Sequence, residues 1–165
     1  MATNSITGPR SVALIGPYSS GKTTLLENLL FTTGAISRKG TIKEGNTVGD
    51  SSAEAKSRKM SVEISPVNFE FLGDKFSVLD CPGSIELLQE SLDALVCVDA
   101  AVVVCEADES KVVAMTPLLR FLDLRAIPYL IFVNKLDRHG GQLTSFLSVL
   151  KGVASRAVAV RQLPL

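Results

Sequence analysis

Eight residues near the start of the chain, GPYSSGKT, have the types and spacing of a phosphate-binding loop, G-x-x-x-x-G-K-[ST]. They follow a short apolar segment that predicts a strand and open a segment with leucines at helical spacing, so a simple Gly/Ser turn that caps a helix is the weaker interpretation. The glycines let backbone N–H groups point inward and form an anion cradle with the helix N-terminus. Lys22 is then placed to reach the β- and γ-phosphates, and Thr23 to offer a hydroxyl to Mg²⁺. The candidate phosphate-binding residues are Gly16, Pro17, Tyr18, Ser19, Ser20, Gly21, Lys22 and Thr23.

A second group of polar residues, Asn134-Lys135-Leu136-Asp137, follows the apolar segment YLIFV. A carboxylate at position 137 can accept hydrogen bonds from both the N1–H and the exocyclic amine of guanine, and adenine lacks this pair of donors. Asn134 can brace the loop and meet N7, while the aliphatic stem of Lys135 can lie along the base. Taken alone, these four residues also fit a polar helix cap after a strand. Together with the phosphate loop they predict a guanine site.

Between these motifs stands Asp80-Cys81-Pro82-Gly83, at the end of an alternating apolar segment. As part of a nucleotide site, Asp80 would face Mg²⁺ through a water molecule, and the Gly83 backbone N–H would sense the γ-phosphate. The plain alternative is a strand-end turn, because proline and glycine both interrupt regular structure. The flanking motifs favour the first interpretation.

The segments that must position these residues alternate between strand and helix patterns. Period-two alternation over 61–71 and 75–80 predicts an antiparallel hairpin, in which Pro66 favours an edge position. The nearly continuous apolar segments 100–107 and 127–135 are typical of parallel strands buried on both faces. Helices are expected over 22–34, 110–125 and 140–154, and a last edge strand over 157–165. The polar segment 36–59 is too long to be a simple connection between two elements. This order predicts an α/β fold with three layers and a mostly parallel sheet with one antiparallel edge hairpin. Ligands in such sheets bind at the carboxyl ends of the strands.

Composition limits the classes of partner. The chain has 165 residues, 46% of them hydrophobic, and its 17 basic and 17 acidic residues give a formal net charge of zero. This balance gives no basic excess for nucleic-acid binding, and no apolar segment reaches membrane-spanning length, so neither DNA nor a membrane is an expected partner. The three cysteines, Cys81, Cys97 and Cys105, lie in apolar segments and are expected to be reduced core residues of a cytoplasmic protein.

The phosphate loop, D-x-x-G and N-K-x-D, in this order, resemble the GTPase family of P-loop NTPases. The region after the first helix looks like the first switch of elongation factor G-like proteins: Thr33-Gly34 ends the helix, Asp50 and Arg58 match an acid and an arginine, and Ser61 falls where that family has its Mg²⁺-binding threonine. The trailing Arg138 also fits. The resemblance implies a translational GTPase that takes GTP or GDP with Mg²⁺ as cofactors and the ribosome as partner. Its implied metal set is Thr23, Ser61 and, through water, Asp80.

Two departures from the family pattern bear on function. Where the family has a histidine that positions the attacking water, this chain has Ser84, which can hydrogen-bond a water but cannot carry a positive charge. Lys22 and Ser84 are therefore the candidate catalytic positions. Two hypotheses stay open: a GTPase that hydrolyses GTP within a larger assembly, and a GTP-binding switch or scaffold without hydrolysis. An ATPase is a third, weaker alternative. In addition, no Ser-Ala loop closes the guanine pocket, so we expect residues 1–165 to form one GTP-binding domain that stops before the last guanine-contacting loop.

Overall fold

The described part of the chain forms one sheet of five strands with helices between them. The computed structural model describes residue 8 and residues 10–138, 143–154 and 156–162. In chain order, the elements are β1 (Arg10–Ile15), α1 (Lys22–Thr32), α2 (Ala53–Arg58), β2 (Ser65–Phe71), β3 (Asp74–Asp80), a 3₁₀ turn (Ile85–Leu87), α3 (Leu88–Leu95), β4 (Ala100–Glu106), α4 (Glu109–Leu124), β5 (Tyr129–Asn134) and α5 (Leu143–Val153).

The strand order in the sheet is β2-β3-β1-β4-β5. β1 pairs in parallel with β3 and β4, and β4 pairs in parallel with β5, whereas β2 and β3 form an antiparallel hairpin. Pro66 lies in β2, which is an edge strand of the sheet. An edge strand tolerates proline, because no further strand needs the missing N–H as a hydrogen-bond donor. The predicted sheet, its edge hairpin and the place of Pro66 are confirmed.

Helices cover both faces of the sheet, as the alternation of side chains along β1 shows. Ala13 and Ile15 pack in one cluster with residues of α3, α4 and α5, and Leu14 packs on the opposite face with Leu26 and Leu30 of α1. The molecule is therefore the predicted three-layer α/β fold. Among the described residues, no helix is long and apolar enough to cross a lipid bilayer.

Three expectations about individual segments were wrong. Strand β5 is not buried on both faces, because it is an edge strand whose Leu130 is 52% exposed. Residues 156–162 form no strand, and 163–165 lie outside the described residues. Cys97 is exposed, because it follows the end of α3, although Cys81 and Cys105 are buried as expected.

The polar stretch 36–59 is partly ordered around a short helix, α2, that its composition concealed. Ser52 is the N-cap, with its hydroxyl accepting from the Ala55 N–H at 3.3 Å. Glu54 lies in the first turn and pairs with Arg58 in the last turn at 2.9 Å, an arrangement that suits the helix dipole. These local signals support one and a half turns of helix within an otherwise irregular segment.

Candidate functional site

The predicted site residues follow the carboxyl ends of neighbouring strands. Gly16 follows β1, Asp80 ends β3 and Asn134 ends β5. Because β3, β1, β4 and β5 run parallel, these ends lie at the same edge of the sheet. The fold thus brings together residues that are far apart in the sequence.

A cavity of about 190 Å³ opens between the phosphate loop and the segments that follow α1 and β3. The loop, the polar stretch and the corner after β3 all contribute to its lining, which consists of Tyr18, Ser19, Gly21, Lys22, Thr23, Ile42, Asp50, Lys59, Met60, Ser61 and Gly83. The lining carries two ammonium groups and four hydroxyls, and the cavity lies beside the start of helix α1. This chemistry suits phosphate oxygens.

Lys22 is held inside this cavity by the loop that precedes it. Its ammonium donates to the carbonyls of Gly16 at 3.0 Å and Pro17 at 3.1 Å. Burial lowers the pKa of Lys22, while the nearby Asp80 carboxylate opposes that shift. Gly21, before the lysine, has a φ of 101°, a conformation that favours glycine, so the loop geometry depends on this residue type.

Thr23 and Asp80 form a hydroxyl–carboxylate pair at the bottom of the site. The Thr23 hydroxyl donates to Asp80 Oδ2 at 2.6 Å, and the Ser61 Oγ lies 3.4 Å from the Thr23 Oγ1. Asp80 is fully buried, and this burial raises its pKa to about 6, although the Thr23 hydrogen bond and the Lys22 ammonium both favour the carboxylate. A cation beside Asp80 would stabilise its ionised form.

Asp50 joins this group from the polar stretch. It is 5% exposed, and both of its carboxylate oxygens, like Asp80 Oδ1, have no hydrogen-bond partner among the described residues. Sequence analysis gave Asp50 a place in the family pattern but no role. Its burial beside the cavity marks Asp50 as a candidate site residue, and this burial is seen only in the folded chain.

The donor set fits Mg²⁺ bound together with phosphate. Hydroxyl and carboxylate oxygens are the ligands that this hard cation prefers, and it keeps several waters and substrate oxygens. Within the described ranges, no group of three or more His, Cys, Asp and Glu side chains is close enough to hold a metal by itself. Thr23 and Ser61, with carboxylates behind them, therefore suit a metal that also takes oxygens from a nucleotide.

The corner after β3 lies directly against the phosphate loop. A Cβ on Gly83 would collide with the Lys22 ammonium and come within 2.8 Å of the Pro17 carbonyl oxygen, so only glycine allows this approach. The hydroxyl of Ser91, which sequence analysis missed, donates to the Pro82 carbonyl at 2.9 Å and ties the corner to α3. Burial raises the pKa of the neighbouring Cys81 thiol to about 12, so this cysteine is an inert core residue.

Ser84 lies between the corner and a second, mostly apolar cavity of about 580 Å³. The cavity extends to α4 and includes Tyr18, Met60, Ile85, Leu88 and Pro117 in its wall. The Ser84 Oγ is inaccessible and has no hydrogen-bond partner in the part of the chain that the structure describes.

Asn134 and Lys135 contact the phosphate loop from β5. The Asn134 amide donates to the Ser20 carbonyl at 3.0 Å, and the Lys135 ammonium donates to the Ser19 carbonyl at 2.5 Å. Asp137 is exposed in the turn that follows and lines neither cavity. The structure therefore joins two of the three guanine candidates to the loop and leaves the third accessible.

Glu106, at the end of β4, holds Lys135 in place, and sequence analysis did not single it out. Its two oxygens accept from Lys135 at 2.6 Å and from Lys111 of α4 at 2.7 Å. Burial opposes the ionisation of Glu106, but the two ammonium groups outweigh it and lower its pKa to about 2. Glu106 thus links α4 to the candidate guanine loop.

We expect Glu106→Gln to lower the free energy of unfolding by about 1–3 kcal/mol, because it removes the charge that both lysines face. Since its pKa is held below the ordinary value of 4.5, the contribution of Glu106 is present above that value and is lost as the pH falls towards 2. Urea unfolding at pH 7 and pH 3 measures both effects. The control is Glu109→Gln, an exposed acid in the first turn of α4. Equal stability losses at pH 7 in the two variants would contradict the assignment.

Comparison with known proteins finds relatives that are named as elongation and release factors. A family model described as the elongation factor Tu GTP binding domain matches residues 8–161. The elongation factor G-like protein of Synechocystis sp. is 53% identical over 156 residues, which cover 94% of this chain and 23% of that protein. Peptide chain release factor 3 of Lactococcus lactis subsp. cremoris is 34% identical over 153 residues, 88% of this chain and 29% of the relative. A crystal structure of a protein from Thermus thermophilus superposes with a TM-score of 0.80 at 36% identity, covering 87% of this chain and 22% of that one. The chain spans about a quarter of the length of these relatives.

Proposed function

Because the chain belongs to the family of elongation factor Tu GTP-binding domains, we propose that it binds GTP and GDP with Mg²⁺ and acts as the nucleotide switch of an elongation factor G-like translation factor. The observation that carries the proposal is the convergence of Lys22, Thr23 and Ser61 on one cavity beside a glycine-bearing helix N-terminus, with Asp80 hydrogen-bonded to Thr23 behind it. The ribosome is the proposed partner of the whole protein, since relatives bear the names of elongation and release factors.

Each residue has a defined part in this proposal. Lys22 neutralises the β- and γ-phosphates, and the inward N–H groups of residues 16–21 bind their oxygens. Thr23 and Ser61 would hold Mg²⁺, with Asp80 and Asp50 acting through water. The metal supplies charge neutralisation between the phosphates when it is bound. Gly83 and Ser61 contact the γ-phosphate, so its loss releases both segments.

The base preference rests on the loop after β5. Asn134 and Lys135 are already fixed on the phosphate loop, which sets the distance between the phosphates and the base. Asp137 is accessible from solvent and carries the two acceptors that guanine requires. These features favour guanine over adenine nucleotides and argue against an ATPase.

Titration of the chain with fluorescent GDP and GTP, in Mg²⁺ and in EDTA, tests the proposal. We expect saturable binding in Mg²⁺, displacement by unlabelled GDP or GTP, and at least about 100-fold weaker displacement by ATP, because adenine leaves the acceptors of Asp137 unpaired. If ATP competes as well as GTP, the guanine assignment is wrong.

Two modes of action are compatible with this binding site: GTP hydrolysis in a larger assembly, and a switch or scaffold without hydrolysis. Ser84 separates them, because its buried hydroxyl carries no charge and donates to no described group. Positioning of the attacking water supplies much of the rate in phosphoryl transfer. Turnover of GTP by the unaltered whole protein on ribosomes would exclude the second mode.

We expect Ser84→His to raise ribosome-stimulated GTP turnover of the whole protein by about 10-fold or more, because an imidazole can orient the attacking water and the neighbouring cavity has room for the ring. The rate of phosphate release under single-turnover conditions measures this effect. Ser84→Gln, which fills similar space without an imidazole, serves as the control. An equal gain in both variants would show that volume, and not imidazole chemistry, limits turnover.

A further inference from the structure

A carboxylate on the inner side of α1 binds the backbone of the polar stretch. Glu27 is 2% exposed, and its Oε2 accepts from the Gly40 N–H at 2.8 Å while its Oε1 accepts from the Val48 N–H at 2.5 Å. Among the described residues, no lysine or arginine forms an ion pair with it. The compensation for burying this charge is thus two hydrogen bonds from one loop.

The energetics of burial indicate that this arrangement is specific. A buried carboxylate is costly unless it is paired or hydrogen-bonded. Hydrogen bonds from backbone amides to a carboxylate are charge-assisted and stronger than neutral ones. Displacing the loop would leave Glu27 to find new partners, so the loop and the carboxylate hold each other in place.

The segment between the two amides closes on itself. The Thr41 N–H donates to the Asn46 Oδ1 at 2.7 Å, and the Glu44 N–H donates to the Thr41 carbonyl at 3.2 Å. Residues 40–48 therefore form a compact loop, and both of its ends are bound by the one Glu27 side chain. We call this arrangement the Glu27 clamp.

The clamp leads directly into the candidate metal site. After Val48, the carbonyl of Gly49 accepts from the Ser65 hydroxyl at 2.5 Å, and the Gly49 backbone packs beside Asp80 and Thr23. Asp50 comes next, with its carboxylate buried beside the cavity. Only Gly49 lies between Val48, whose amide is clamped, and Asp50.

We propose that Glu27 is a positioning residue for the metal site: by holding both ends of loop 40–48, it fixes Asp50 beside Thr23 and Asp80. The inference rests on the proposed function, since the position of Asp50 matters to activity only if Mg²⁺ and a nucleotide bind there. Glu27 itself touches neither of the two cavities. Its effect on Mg²⁺ passes through Asp50.

The experiment measures the Mg²⁺ concentration that half-maximally slows the release of fluorescent GDP from the chain. We expect Glu27→Gln to raise this concentration by about 10-fold, as removal of an outer-shell partner typically does. Asp50→Asn is expected to raise it to a similar extent, and Glu27→Gln combined with Asp50→Asn no further than Asp50→Asn alone. The matched control is Asn28→Ala, which removes the contact of the next α1 residue with Lys39 in the same polar stretch and leaves the clamp intact.

The outcomes separate the clamp from the proposed function. If the wild-type chain binds GDP with Mg²⁺ dependence but Glu27→Gln stays within about twofold of it, the clamp inference is wrong and the proposed function stands. Additive effects of Glu27→Gln and Asp50→Asn would also overturn the inference, because Glu27 would then act independently of Asp50.

Hydrogen exchange of the unliganded wild-type chain tests the clamp without any variant and without nucleotide. We expect the amides of Gly40 and Val48 to exchange more slowly than the amides of Ile42 and Lys43 near the loop tip. Equally fast exchange at all four amides would show that the clamp does not form in solution. This result stays informative even if Glu27→Gln fails to fold or the chain binds no guanine nucleotide.

Discussion

Asp137→Asn is expected to convert the proposed preference for GDP into a preference for xanthosine diphosphate, with the affinity for GDP reduced at least about 100-fold. In the proposed site the Asp137 carboxylate would accept hydrogen bonds from both N1–H and the exocyclic amine of guanine, whereas an amide has one acceptor oxygen and one donor NH₂ group. Xanthine carries a carbonyl in place of the exocyclic amine, so the amide donor of the variant meets an acceptor. The exposed position of Asp137 means that the substitution leaves the core intact.

Competition of GDP, xanthosine diphosphate and ADP against a fluorescent nucleotide measures this inversion. Glu70→Gln is the control, because it removes an exposed negative charge from the edge strand β2, far along the sheet from β5. We expect the control to keep the preference for GDP. Uniform weakening of all three nucleotides in Asp137→Asn would contradict base recognition by this residue.

Lys22→Met is expected to lower the affinity for GDP and GTP by about 100-fold or more, because it removes a charge-assisted contact with the phosphates and keeps only the apolar stem. The stability of the nucleotide-free chain should change far less than the affinity. Removal of the buried ammonium relieves a desolvation cost, but it also removes the hydrogen bonds to the carbonyls of Gly16 and Pro17.

Equilibrium binding and thermal unfolding of the nucleotide-free chain are measured on the same samples. Lys59→Met provides the matched control, because Lys59 lines the same cavity with an exposed side chain. We expect Lys59→Met to change nucleotide affinity by less than about fivefold, as is typical of a solvated charge. If both variants lose affinity equally, the cavity binds phosphate by net charge and not through a positioned lysine.

The fold followed from periodicity and from residues that interrupt it. The succession of strands and helices along the chain could be predicted because these elements bury continuous apolar faces. Examples are the apolar segments 11–16 and 100–107 and the leucines of α1. Strand β5 has the same kind of sequence, yet Leu130 and Phe132 are exposed. Composition reports which side chains are apolar but not whether a helix packs over them.

The candidate site was predictable where its residues are adjacent in the sequence. The loop 16–23 and the four residues from Asn134 are short motifs whose spacing is itself informative. Glu27 and Glu106 were missed because their partners are distant in the sequence: Glu27 meets Val48, and Glu106 meets Lys135. A lone glutamate in a helix or at a strand end carries no local sign that it is buried, and only the tertiary structure supplies its partner.

The central place of β1 has a kinetic consequence. Arg10 pairs with Phe76 and Val12 with Ala100, so the strand that carries the phosphate loop is completed only when segments far along the chain have joined it. Such non-local parallel pairing makes folding slow. The phosphate loop gains its full set of neighbours only when both of these segments have paired with β1. A nucleotide bound as proposed would therefore stabilise the finished sheet, by about 2.7 kcal/mol at a concentration 100 times its Kd. Nucleotide binding can therefore report the completion of folding during refolding or synthesis.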